Sequence, residues 1–372
     1  MPETKTSEQQ KKIAALVDKL STSPSGMEML RAALGENGLA LMKIAAIEGF
    51  PEVTDPVRLS NAREGIILDV ESTGLDTKKD EITELAMLRF TYDEQGIISL
   101  GDLYDEFNEP SIPIPEEVVQ LTGITDEMVK GHKIDPREVS VFIADAGVVL
   151  AHNANFDRKM VEANLKGVGF EGKDWHCTAM QIDWIMRGKS GRSLEVLALS
   201  EGLVYGSHRA DADIIATAFV LNSTDRNGIS AFAEMLEKGS TPSIMVIAKD
   251  TPFQFSKASP MFDPANPKAP CGDVLKKRGY RWSPDGSDIF DAASKGWHTE
   301  IFGDEESKKS EADFLRDFYG REVSIPSFRV DARDRYSDRR PGDVVLFRTS
   351  EVGSLKEAAA QVELVRQPSL DF

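Results

Sequence analysis

The chain has 372 residues, 41% of them hydrophobic and 28% charged, with 28 glycines and 18 prolines spread along its length. That length suits roughly two or three domains, and the composition excludes collagen-like, wholly disordered and coiled-coil chains. Lys and Arg number 44 against 62 Asp and Glu, a net charge of −18, which disfavours a protein that coats nucleic acid through bulk charge. An enzyme that meets a phosphodiester through metal ions stays open, because metals invert the local sign. No apolar run approaches the roughly 18–20 residues that cross a bilayer. The start, Met1 to Leu20, is polar and unlike a signal peptide. Two cysteines, Cys177 and Cys271, make neither a disulfide framework nor a four-ligand zinc site. The expected setting is the cytoplasm, with no membrane contact.

Residues 1–60 read as a helical region. Ile13, Leu16, Val17 and Leu20 fall at helical spacing, and Ser-Pro-Ser-Gly at 23–26 interrupts it. From Arg63 the texture changes. Ile66 to Val70 is a β-branched strand ending in acid, Ile82 to Tyr92 a second and Ile97 to Phe107 a third, with Asp93 to Gly96 as the turn between the last two. Val148 to Ala151 is another buried-type strand. Helical patterns follow at 115–121, 136–145, 156–165, 180–186, 194–200 and 211–221. Antiparallel strands followed by alternating strand and helix predict a mixed α/β sheet with helices on its faces. The block runs from 62 to 225. Prolines crowd between 252 and 270 and predict irregular chain. A small α+β module is expected over 241–347, with a helix over 310–319 and a strand over 344–347. The remaining 348–372 is a tail with one amphipathic helix candidate, 355–365.

Four acids carry the chemistry. Asp69 and Glu71 are two apart on a strand, so both carboxylates point to one face at its end. Asp157 follows strand 148–151 at a strand-to-helix junction, and Asp213 opens an apolar helix five residues after His208. Each alone is ordinary: a solvated face, a cap or a first-turn charge. Together they lie at strand ends and helix starts, where α/β sheets place active sites. Hard divalent cations want such oxygen ligands, and a pair about 3.5–4 Å apart can serve both sides of a phosphorus. His208 adds a side chain that can exchange a proton near neutral pH.

Asp69-Val70-Glu71-Ser72-Thr73-Gly74-Leu75-Asp76, His152-Asn153-Ala154-Asn155-Phe156-Asp157 and His208-Arg209-Ala210-Asp211-Ala212-Asp213 resemble the three motifs of the DEDDh (DnaQ-like) 3′–5′ exonucleases. The likeness covers roughly 62–222 and is nearest to the branch that proofreads for bacterial DNA polymerase III. Leu121 to Met128 resembles a segment common there. The resemblance implies a ribonuclease H-like fold and two Mg²⁺ or Mn²⁺ on Asp69, Glu71, Asp157 and Asp213, with His208 as general base. It also implies that Thr73, Leu75, Asn153 and Phe156 contact the substrate, Leu75 as a wedge beside the last base. Ser72 departs from the commoner Thr, a mild change. The implied reaction is hydrolysis of the 3′-terminal phosphodiester of single-stranded DNA ends to nucleoside 5′-monophosphates. RNA 3′ trimming is the alternative within the family, and a non-catalytic polymerase or nucleic-acid adaptor the alternative outside it.

Two flanking features stand apart. Lys276, Arg278 and Arg281 interleave with Tyr280 and Trp282, which reads either as a platform for single-stranded nucleic acid or as an aromatic mini-core with solvated cations. The last residues, Gln367-Pro368-Ser369-Leu370-Asp371-Phe372, resemble the Gln-x-x-Leu-x-Phe peptide that docks on the bacterial sliding clamp. Gln367, Leu370 and Phe372 would make the contacts, unless the end merely folds back on the protein.

Overall fold

The computed structural model describes residues 43–350 apart from 52, 249–250, 258, 284–295, 303–304, 340 and 342–343. Most of the expected N-terminal helical region and residues 351–372 of the tail, with Gln367, Leu370 and Phe372, lie outside the described residues. A short strand β1 (Lys43–Ile44) and a helix α1 (Pro56–Ser60) lead into β2 (Arg63–Ser72), β3 (Ile82–Asp93) and β4 (Gly96–Phe107). Helices α2 (Glu116–Thr122), α3 (Asp126–Val129) and α4 (Pro136–Ile143) precede β5 (Val148–Ala151). Then come α5 (Ala154–Asn164), β6 (Asp174–Cys177), α6 (Leu194–Ser200), β7 (Leu203–Val204), α7 (Ala210–Leu221) and α8 (Ala231–Ser240). The C-terminal part supplies β8 (Ser243–Ala248), α9 (Cys271–Arg278), β9 (Arg281–Ser283), β10 (Gly296–Phe302), α10 (Glu305–Tyr319), β11 (Ser324–Val330) and β12 (Val344–Arg348).

The first sheet has five strands in the order β4-β3-β2-β5-β6. β2, β3 and β4 are antiparallel, while β5 and β6 run parallel to β2. This is the mixed, ribonuclease H-like sheet that the sequence predicts. Asp93 makes its hairpin: the carboxylate accepts the Gln95 and Gly96 N–H groups and holds Arg58 at 2.7 Å through both oxygens. Helices cover both faces, so the central strand is apolar on both. Ile67 joins the core under α6, α7 and α8. Ile66, Leu68 and Val70 join the opposite core, under α4 and α5. Asp69 and Glu71 continue the Ile67 face past the end of that core, so the pleat aims both at the helix that carries Asp213.

The second sheet, β12-β11-β8-β10-β9, is antiparallel throughout. α9 and α10 cover one face through Cys271, Leu275, Ala312, Leu315 and Phe318. The proline-rich stretch after β8 is irregular, as expected, with one isolated bridge between Gln254 and Pro270. The helix expected over 180–186 does not form; the stretch is a series of turns. Its amides go elsewhere: Asp183 N–H donates to Glu234 and Trp184 N–H to the Ile182 carbonyl, while Gln181 turns back onto the Cys177 N–H. Among the described residues no helix is long and apolar enough to cross a membrane.

Candidate active site

β2 delivers Asp69 and Glu71, and the first turn of α7 delivers Asp213. One carboxylate oxygen from each lies within 4.8 Å of the others. Asp213 is held by its own helix start, where Oδ2 accepts the Arg209 N–H at 3.1 Å. Asp157 arrives from the first turn of α5 and is buried. Its carboxylate accepts the Val70 N–H, which ties it between the two acids of β2, yet its Oδ2 has no hydrogen-bond partner.

Crowding and burial raise every one of these acids. Asp69 is held well above the usual carboxylate range by burial and by the charges of Asp157, Asp213 and Glu71. Burial, helped by Asp213 and Glu84, lifts Glu71 to about 7. Burial alone dominates at Asp157, pushed up to about 8, and at Asp213, at about 6. Four oxygen donors that repel one another in a partly dry site, one with an orphaned oxygen, fit hard divalent cations and little else.

His208 has a left-handed backbone, φ 62°, uncommon for a side chain that is not glycine. Its Nε2 lies 3.7 Å from Glu195 Oε1, both side chains partly open to solvent. The neighbouring turn is pinned by Glu84, fully buried on β3 directly opposite Glu71. Glu84 accepts Arg209 Nη2 at 2.7 Å and the Ala210 N–H at 3.1 Å. Tyr205 also faces the cluster; burial and the charges of Asp213 and Glu195 push its hydroxyl up. Glu84, Glu195 and Tyr205 were not among the expected residues. Glu84 alone left a trace in the sequence, as the one charged residue between Ile82 and Leu88 of a mostly apolar strand.

The expected substrate contacts are placed unevenly. Leu75 stands 85% exposed on the loop after β2, free to meet a base. Thr73 is buried and its hydroxyl is engaged, donating to Asp80 at 3.1 Å and accepting the Glu81 N–H at 3.0 Å. Asn153 sits at the start of α5 without capping it through its side chain, and Phe156 packs on the core beneath α5. At 276–282 the structure divides the proposed platform. Tyr280 is buried with its hydroxyl on Glu311 at 2.6 Å, and Arg278 pairs with the same carboxylate at 3.0 Å over the Phe314 ring. Tyr280 therefore has no face open to a base; it packs on Phe314 rather than on the tryptophans, and Arg278 is ion-paired rather than solvated. Lys276, Arg281 and Trp282 remain exposed, Trp282 against Trp297 at 5.6 Å.

Comparison with known proteins bears on the same stretch. The profile of the Exonuclease family (RNase_T) matches residues 66–221, which contain all four acids and His208. Residues 66–221 are an exonuclease-family domain. Relatives of this domain include the PolC-type DNA polymerase III of Caldanaerobacter subterraneus subsp. tengcongensis, 29% identical over 195 residues, and that of Thermotoga maritima, 31% identical over 185. These matches take in 51% and 46% of this chain and 13% of each polymerase. Among solved structures, exonuclease X in complex with 5′-overhanging duplex DNA is 24% identical, with a TM-score of 0.34 over 42% of this chain and 87% of that one. Escherichia coli exonuclease I in complex with a dA16 oligonucleotide is 15% identical, with a TM-score of 0.36 over 50% of this chain and 48% of that one. Likeness at that level is too weak to argue from.

Proposed function

We propose that the exonuclease domain removes nucleotides from the 3′ ends of single-stranded or frayed DNA, releasing nucleoside 5′-monophosphates, in proofreading, repair or DNA processing. The reading rests on the convergence of Asp69, Glu71 and Asp213 within 4.8 Å, with Asp157 arriving from α5. These four would hold two Mg²⁺ or Mn²⁺, which supply an activated water and neutralise the leaving oxygen. His208, with Nε2 3.7 Å from Glu195 Oε1, takes the proton of the attacking water. Leu75 lies against the terminal base, with Asn153 at the pocket wall. Relatives named as DNA polymerases support a DNA end over an RNA end, and a role beside a polymerase.

The test is degradation of matched DNA and RNA single strands, labelled at either end, by the full chain in Mg²⁺. DNA should shorten from its 3′ end, a 3′ label should appear at once as mononucleotide, and chelation should stop the reaction. Asp69→Ala should lose activity by orders of magnitude, since a ligand to both roles of the metal site is gone. Faster loss of RNA would move the assignment to 3′ exoribonucleases. No hydrolysis of either strand would leave the adaptor reading.

A further inference from the structure

The residue after Asp157 is Arg158, and its side chain is 0% exposed. A buried guanidinium must have its donors satisfied. Nε donates to Glu162 at 2.8 Å on the same helix. The other two nitrogens leave the exonuclease domain: Nη1 donates to the Arg335 carbonyl and Nη2 to the Arg333 carbonyl, both at 2.7 Å. The guanidinium lies over the Trp175 ring at 5.3 Å. Both acceptors belong to the 331–339 segment that joins β11 to β12 in the second sheet.

That segment is fastened along its length. Ala332 O accepts the Trp175 N–H at 2.8 Å, so the chain lies along the outer edge of β6. Ser337 Oγ donates to Glu162 Oε2 at 2.6 Å, Asp338 meets Lys159 at 3.1 Å, and Arg339 donates to the Glu171 carbonyl at 3.1 Å. Its other side is anchored in the second sheet through Arg335, which donates to Glu300 and the Thr241 carbonyl at 2.6 Å and to Ser243 Oγ at 3.0 Å. Tyr336, between these anchors, has φ 68° and packs on the core beneath α5. Such a backbone costs about 1–3 kcal/mol and persists where its surroundings over-determine it.

Arg158 and Glu162 are one helical turn apart, so the segment grips one face of α5 and sets both its rotation and its position along its axis. Asp157 rides on α5, so its place follows that setting. Its carboxylate meets the Val70 N–H of the central strand only where α5 holds it there, and Oδ2 has no partner of its own. We propose that segment 331–339 is a positioning strap for the Asp157 carboxylate, acting through Arg158. The nuclease centre is then completed by the C-terminal sheet, which lies wholly outside the stretch matched to the exonuclease family. Arg158 is a positioning residue, and its role rests on the reading of Asp157 as a metal ligand.

Arg158→Lys keeps the charge and loses the fork that spans two carbonyls. In the full chain, Mn²⁺ affinity per folded molecule, measured by titration, should fall about tenfold, the range seen when supports of metal ligands are removed. The kcat on single-stranded DNA should fall with it, while KM for the strand stays within about twofold. Ser337→Ala, a milder cut at the strap side, should move Mn²⁺ affinity in the same direction by less. Wild-type Mn²⁺ affinity and kcat in Arg158→Lys, or a lowered melting temperature with unchanged Mn²⁺ affinity, would overturn the strap. If Arg158→Lys does not fold, an unchanged Mn²⁺ affinity in folded Ser337→Ala does the same. Asp157→Asn serves as the separate control: normal Mn²⁺ binding and hydrolysis there would remove the metal-site reading itself.

Discussion

Asp157 keeps its carboxylate out of solvent with one oxygen unpartnered, and its pKa stands at about 8 because burial disfavours the charge. An acid whose folded-state pKa lies above its unfolded value binds more protons when folded, so stability falls as pH rises between the two values. Glu71 at about 7 and Asp213 at about 6 act in the same direction. In chelator, the melting temperature of the protein should therefore decline between about pH 5 and pH 8. Mg²⁺ should remove most of that decline, and Asp157→Asn should make it shallower without any metal, the other acids still contributing. A scan of melting temperature against pH, with and without Mg²⁺, checks both; an equal slope in all samples would mean that the cluster does not carry this charge. His208 calls for a different measurement. His208→Ala should lower kcat by about 10²–10⁴-fold with KM little changed, and added imidazole should restore part of the rate. No rescue together with a normal rate would assign the proton to another group. That Asp69, Glu71 and Asp213 converge was legible from their places at a strand end and a helix start; the roles proposed for them and for His208 came from the resemblance. Glu84 and Glu195 were not, since a buried carboxylate paired to Arg209 and one half-open beside a histidine acquire their roles only when distant segments meet.

Gly65 shows how an element is tuned by what crosses it. A Cβ there would stand 2.4 Å from the Phe90 ring and 2.9 Å from the Val148 side chain, so β2 can pair between β3 and β5 only without one. Gly65→Ala should cost about 1–3 kcal/mol of stability as overpacking, read as a lower midpoint in urea unfolding with an unchanged slope. Elements with a strong local signal were legible: β4 after its Asp-Glu-Gln-Gly turn to within a residue, α6 at 194–200, and β2 as a β-branched run that in fact starts three residues earlier, at Arg63. The helix expected over 180–186 gives way to turns for a partly non-local reason: the distant Glu234 takes the Asp183 N–H, while Gln181 folds back on the Cys177 N–H before it. β8 and β11 were not anticipated. β8 is short, apolar and central in its sheet, and a run of that kind carries no period to separate strand from helix. At 276–282 the pattern of cations and rings was visible, but only packing shows that Tyr280 and Arg278 turn inward onto Glu311.

At the scale of the whole molecule, the net charge of −18 sets a problem for the proposed reaction, whose substrate would be a polyanion. Long-range fields would slow encounter with a nucleic acid strand, and more so at low salt. Metal ions held at the acid cluster would correct the sign locally, yet do nothing for capture from a distance. A tether to a partner already on DNA would raise the effective concentration of the 3′ end and bypass bulk electrostatics. We propose that the terminal Gln367-Pro368-Ser369-Leu370-Asp371-Phe372, through its likeness to a clamp-docking peptide, supplies that tether. Leu370 and Phe372 would bury apolar surface worth roughly 3–5 kcal/mol before ordering costs, so one such peptide binds weakly and serves best as one of two contacts. Titration of the host sliding clamp with the full chain and with a chain ending at Arg366 should show binding lost on truncation, while hydrolysis of free single strands in Mg²⁺ stays the same in both. With clamp-loaded primed DNA, only the full chain should gain rate. Equal binding by both chains, or none by either, would leave the charge problem to be solved elsewhere in the molecule.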